Sequence, residues 1–206
     1  PLLRPEGTGI ADLFAAARKL GRLRDLDWLC RRRALECATE LPQHLLLFVN
    51  VTVTALLDPV HPVDQMLLLT RAAGRDPHTL VLELSEREVF IDRRRLRYVL
   101  ASYREHGVQF AIDDVGDGRA TLEVLAAAMP EFVKIAPGLT SSMMDAGTRA
   151  AIEATCAFAR ESNAQVIAEG VESKETAERL ALAGLRLAQG MLFGRPAQAQ
   201  TLSAAM

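Results

Sequence analysis

The sequence has no long hydrophobic stretch. Its apolar runs are a handful of residues, such as Leu45 to Val49, and they stop at polar side chains. A membrane-spanning helix needs roughly 18 or more apolar residues in a row, so no membrane segment is expected. Neither charge is in large excess: 24 basic and 26 acidic residues give a formal net charge of −2. That leaves no bulk attraction for a phosphate backbone, and no DNA partner is expected. Cysteine is scarce. Three residues cannot all pair with one another, and the seven-residue spacing of Cys30 and Cys37 puts both on one helix face, where free cysteine behaves as a small buried hydrophobe. These features predict a reducing, cytoplasmic setting. A Pro/Ser-rich linker is also missing, so the expectation is one domain over residues 1–206. The chain opens Pro-Leu-Leu-Arg, without an initiator Met or a signal peptide, and reads as a piece of a longer protein. Lysine is the rarest charged residue: Lys19, Lys134 and Lys174 stand against a background of arginine. Lys134, flanked by Val133 and Ile135, is costly to bury without a partner.

What is present is ordinary globular composition, half hydrophobic and 24% charged, which excludes disorder and disulfide scaffolds. Helical periodicity covers 23–41, with Leu26, Leu29, Cys30, Ala34, Cys37, Ala38 and Leu41 as the apolar stripe; Arg31, Arg32 and Arg33 read as a solvated face. Further helical patterns cover about 63–73, 92–106, 120–128, 148–162 and 173–183. Between them lie short apolar runs: Leu45 to Val49, Leu80 to Leu82, Gln109 to Ile112, Phe132 onward, Gln165 to Ala168 and Leu185 to Ala188. This βα repetition, at roughly 22 to 35 residues per unit, is that of a parallel α/β fold. The runs are apolar on both faces, as in a covered parallel sheet. Asn50-Val51-Thr52 is not the Gly-rich turn of an open doubly wound sheet, and a closed barrel fits better.

Polar residues collect where these strands end: Asn50, Glu83, Asp113 with Asp114, Lys134, Glu169 and Gln189. In a parallel barrel such ends converge on one mouth. Several carboxylates in a small volume stay ionised only beside cations, and hard oxygen donors favour Mg²⁺ or Mn²⁺. Two such ions are a common device for phosphoryl hydrolysis. Each element also has a plainer reading. Asn50 suits a turn; Ser85 with Glu83 and Glu86 suits a helix cap; Glu169 and Glu172 suit first-turn helix charges; Lys134 could snorkel from a barrel wall.

In order, the motifs resemble those of the EAL domain, the bacterial family that hydrolyses cyclic di-GMP. They are Phe48-Val49-Asn50-Val51-Thr52, Glu83-Leu84-Ser85-Glu86, Ala111-Ile112-Asp113-Asp114, Val133-Lys134-Ile135, Ala168-Glu169-Gly170-Val171-Glu172, and Gln189-Gly190 with Pro196 beyond. The resemblance implies a modified (β/α)8 barrel with two divalent cations, Mg or Mn. Asn50, Glu83 and Asp113 match ligands of one ion; Asp113 and Asp114 match ligands of the other, with Glu169 in support. Lys134 matches the lysine that holds the attacking water and the developing phosphate charge, so Lys134, Glu169 and Asp114 form the implied catalytic set. Gln189 and Glu172 match residues that steady the site beside the substrate. Arg4 matches a phosphate-contacting arginine. A homodimer and an upstream sensor domain are also implied.

The chain departs from the family pattern in places. Pro1 stands where the signature alanine belongs, so the signature glutamate is not in this sequence, nor is the opening strand and helix of such barrels, about 35 residues. Pro5 to Gly9 replace a longer loop, and Arg18 replaces a usual glutamate. Val115, Asp117 and Arg119 stand where Phe, Thr and Tyr are favoured, and Ala136 where an aspartate is usual. Two functions follow: a hydrolase opening cyclic di-GMP to linear pGpG, or a weak or inactive domain that binds the nucleotide or a protein and signals by conformation. An enolase-type metal barrel would need a capping domain for which the chain has no room.

Overall fold

Alternating apolar runs and helical periods become parallel strands joined by helices. The structure, a computed structural model, describes residues 9–60, 62–86, 89, 92–116 and 121–197. These fall into two compact units, one within 1–83, 94–109 and 197–206, the other within 84–93 and 110–196. In each, the recorded strand pairs are parallel and follow chain order, as right-handed βα connections favour.

The first unit begins with α1 (Ile10–Lys19) and α2 (Leu23–Cys37), followed by a 3₁₀ turn at Ala38–Glu40. Next come β1 (Leu47–Asn50), the single-turn α3 (Val53–Leu56) and α4 (Val63–Ala72). Most of β2 (Leu80–Ser85) and of α5 (Arg93–Arg104) completes it. β1 and β2 run in register from Leu47 opposite Leu80 to Asn50 opposite Glu83. At helical spacing, α4 buries Met66, Leu67 and Thr70, and α5 buries Leu96, Leu100 and Tyr103.

The face of α2 differs from the sequence expectation. Its buried stripe is Leu23, Asp27, Arg31, Ala34 and Leu35, while Leu29 and Cys37 are exposed and Cys30 is half-buried. Cys37 is therefore not a buried hydrophobe, and Arg31 is not part of a solvated face. The Arg31 side chain is 0% exposed, with Nε 2.7 Å from Asp27 Oδ1 and the guanidinium stacked on Trp28, 4.9 Å from the ring centre. An ion pair at i, i+4 neutralises two charges at once and lets both enter the core. Burial pushes the Asp27 carboxyl above its usual pKa, with Arg31 pulling the other way.

The second unit holds the rest of β3 (Gln109–Val115), then α6 (Thr121–Ala128), β4 (Phe132–Ile135) and the short α7 (Pro137–Ser141). It ends with α8 (Ala146–Glu161), β5 (Gln165–Ala168), α9 (Lys174–Leu182) and β6 (Leu187–Ala188). Asp145 caps α8 by accepting from the Gly147 and Thr148 amides, and Ser173 caps α9 by accepting from Thr176. Ile135, Met143, Ile152, Ala168, Val171, Leu180 and Leu185 form its core, with Cys156 packed against it. All four residues of β4 are buried, whereas β5 is exposed at Gln165 and β6 at Leu187. The two-sided covering expected of every strand thus holds for β2 and β4 and fails at β5 and β6.

Candidate catalytic and metal site

The buried lysine has its partners. Lys134, on β4, is 5% exposed, and its Nζ lies 2.8 Å from Asp113 Oδ1 and 2.8 Å from Glu169 Oε1. Strand pairing delivers these groups. Lys134 lies opposite Ile167 on β5 and Ile135 opposite Ala168, so Glu169 emerges one residue beyond, its amide donating to the Ile135 carbonyl at 3.1 Å. The Gln189 amide donates to the Ala168 carbonyl at 2.8 Å, which brings the Gln189 side-chain amide to donate to Glu169 Oε1.

The adjacent aspartates reach one place through a fault in the strand. Ile112 lies opposite Val133, and Val115 opposite Ile135. Three steps along β3 therefore oppose two along β4, a one-residue bulge. Asp114 takes up the extra residue in the left-handed region, at φ +57°, which aspartate tolerates better than most side chains. β3 does not end at the aspartates, as the sequence suggested, but continues through them. Next in the turn, Gly116 has φ +107°, and a Cβ there would meet Leu139 Cδ1 at 2.2 Å. The Gly116 amide donates to Glu86 Oε2 at 3.1 Å. Glu86 thus holds the aspartate turn, and β2 runs on through Ser85.

One carboxylate oxygen each from Asp113, Asp114 and Glu169 lies within 4.8 Å of the others. Burial, reinforced by the Asp113 charge, pushes the Glu169 carboxyl up to about 7; Lys134 opposes this and Asp114 adds to it. One ammonium does not neutralise three acids, and the residual repulsion suits a hard divalent cation with oxygen ligands. A pH dependence follows. Without a divalent ion, folded Glu169 keeps a proton that the unfolded chain releases near 4.5, so its contribution to stability falls as pH rises from about 4.5 towards 7. The melting temperature in chelator should decline over that interval, and Glu169→Gln should flatten the decline. An equal slope in the variant would refute the assignment.

Asn50 and Glu83 sit side by side in the first unit, as register partners on β1 and β2. Glu83 is buried, and its carbonyl accepts from the Val51 amide at 3.0 Å. Glu172 is exposed before α9 and contributes no oxygen to the acidic cluster. Arg4, Asp117 and Arg119 lie outside the described residues.

The EAL domain family model matches residues 3–196. The chain belongs to the EAL domain family. The cyclic di-GMP phosphodiesterase PdeL of Escherichia coli is 32% identical over 133 residues, 64% of this chain and 37% of that protein. An uncharacterized signaling protein of Caulobacter vibrioides is 32% identical over 200 residues, 93% of this chain and 24% of that protein. The EAL chain thus spans well under half the length of these curated relatives. Among solved structures, Klebsiella pneumoniae BlrP1 in a calcium and cyclic di-GMP complex superposes with TM-score 0.83 at 30% identity, over 94% of this chain and 49% of that one. The PaMucR phosphodiesterase in complex with c-di-GMP gives 0.82 at 25% identity, over 97% and 83%. The fold of this EAL chain is accordingly the modified TIM-barrel type that the EAL resemblance implies and with which its βα repetition agrees. Among the described residues no helix is long and apolar enough to cross a membrane.

Proposed function

We propose that this EAL chain is the hydrolytic domain of a cyclic di-GMP phosphodiesterase, cutting one phosphodiester to give linear pGpG. The observation that carries this is Lys134, buried between Asp113 and Glu169 with Asp114 in the same cluster. Asn50, Glu83, Asp113 and Asp114 are the metal ligands in this reading. Two bound Mg²⁺ or Mn²⁺ ions would offset the phosphodiester's charge and lower the pKa of water towards neutral. Lys134 holds the attacking water and meets the charge that develops on the phosphate oxygens. Glu169, its carboxyl near neutrality in the metal-free protein, is suited to hold a proton beside that water, and Gln189 fixes its Oε1. Arg4 supplies a phosphate contact, and Glu172 with Gln189 steadies the substrate side. In the whole protein this domain would serve cytoplasmic second-messenger signalling, as a homodimer driven by an upstream sensor domain.

One observation favours the receptor alternative. Ala136, fully buried at the N-cap of α7, stands where the family places an aspartate. The deciding assay is chromatographic detection of pGpG from cyclic di-GMP with the full-length protein and Mn²⁺. Product that vanishes with chelator and returns with Mn²⁺ is the expected result. Tight nucleotide binding with no product would establish the receptor instead.

A further inference from the structure

Asp27 and Arg31 form an ion pair that the site above does not use. Their side chains are 3% and 0% exposed. Replacing such a pair by apolar residues is often neutral or stabilising, so this carboxylate invites a second role. Oδ1 faces Arg31 Nε at 2.7 Å. Oδ2 accepts the Thr52 backbone N–H at 2.7 Å, between residues 25 apart in sequence. Thr52 is the N-cap of α3, its Oγ1 accepting from the Ala55 amide at 3.3 Å. The preceding amide, Val51, donates to the Glu83 carbonyl at 3.0 Å. Asn50-Val51-Thr52 is therefore pinned through two successive amides, one on Glu83 and one on Asp27. Asn50 is the last residue of β1 and exposed, so little packing of its own fixes its side chain.

We infer that Asp27 is a positioning residue for the metal site: its carboxylate, oriented by Arg31, fixes the turn that aims the Asn50 side chain. This rests on the reading of Asn50 as a metal ligand. A part-buried amide left without an acceptor costs more than one that keeps even a neutral acceptor, so the acceptor atom matters more than its charge.

The test compares two double variants of the full-length protein, D27N/R31M and D27L/R31M. Both remove the buried charges; only the first keeps an acceptor for the Thr52 amide. The readouts are Mn²⁺ affinity by calorimetry and the Mn²⁺ concentration giving half-maximal pGpG formation. D27N/R31M should stay near wild type, while D27L/R31M should bind Mn²⁺ about 10–100-fold more weakly, the usual effect of losing a group that orients a ligand. Should D27L/R31M fail to fold by circular dichroism, T52P against T52A poses the same question from the donor side. Both lose the Oγ1 cap, only T52P lacks the N–H, and the Thr52 φ of −76° suits proline. T52P should then bind Mn²⁺ more weakly than T52A by the same factor. Equal affinities within the pair tested overturn the inference. Wild-type protein that binds Mn²⁺ without making pGpG would sink the hydrolase reading alone, and the calorimetric comparison would still decide the role of Asp27. Wild-type protein that does not bind Mn²⁺ would overturn both.

Discussion

Replacing Lys134 with alanine is expected to lower the turnover of cyclic di-GMP by on the order of 10²–10³-fold, the usual loss for a removed electrostatic stabiliser in a water-poor site. The Michaelis constant should change far less, because the ammonium acts on charge that develops after binding. The structure adds a cost to the free protein. Lys134 is the cation between Asp113 and Glu169, and without it the half-buried Asp113 and the buried Glu169 face one another. The variant should therefore melt at lower temperature than wild type in chelator, and Mn²⁺ should narrow the gap. Steady-state kinetics at saturating Mn²⁺ separate the two effects. A raised Michaelis constant with unchanged turnover would mean that Lys134 only holds substrate.

Gly190→Ala should be the most damaging single-methyl change in the second unit. A Cβ at Gly190 would lie 2.1 Å from the Val171 carbonyl oxygen, 2.3 Å from its nitrogen and 2.7 Å from its carbonyl carbon. These are backbone atoms and cannot rotate away. The Val171 amide donates to the Gln189 carbonyl, and the Leu192 amide to the Val171 carbonyl, both at 3.1 Å. Separating the segments strains both bonds. Overpacking of this kind costs about 1–3 kcal/mol, and each weakened hydrogen bond about 1 kcal/mol more. The same shift moves Gln189 off Glu169, so activity should fall with stability. Gly184→Ala is the control. Its φ is +88°, but a Cβ there meets nothing within 4 Å, so its cost is the backbone term alone, about 1 kcal/mol. Urea unfolding of the two variants measures the difference; equal midpoints would show that the Gly190 approach relaxes freely.

The sequence carried the βα repetition because burial imposes a period on each element separately. Leu96, Leu100 and Tyr103, or Ile152, Thr155 and Ala159, can be read from their own segments. The strand-end residues were legible for a similar reason: a lysine between Val133 and Ile135, or two aspartates closing an apolar run, stands out from its neighbours. Pairwise features were not. Arg31 looked solvated because its partner lies one helical turn back, and the ion pair neutralises two charges that neither residue neutralises alone. Glu86 could be read as a helix-entry charge because the donor it binds, the Gly116 amide, lies 30 positions away. The bulge at Asp113 and Asp114 depends on β4, and no window confined to β3 contains it.

That bulge changes what the aspartate pair is. In an unbroken strand, neighbouring side chains alternate between faces, so a second acid would be lost to the opposite side whatever its identity. Here the pairing of two carboxylates is a matter of chain length: one supernumerary residue, absorbed at Asp114, turns alternation into convergence. Point substitutions can then exchange one acid while the geometry survives. Only a deletion removes the extra residue and restores regular pleating.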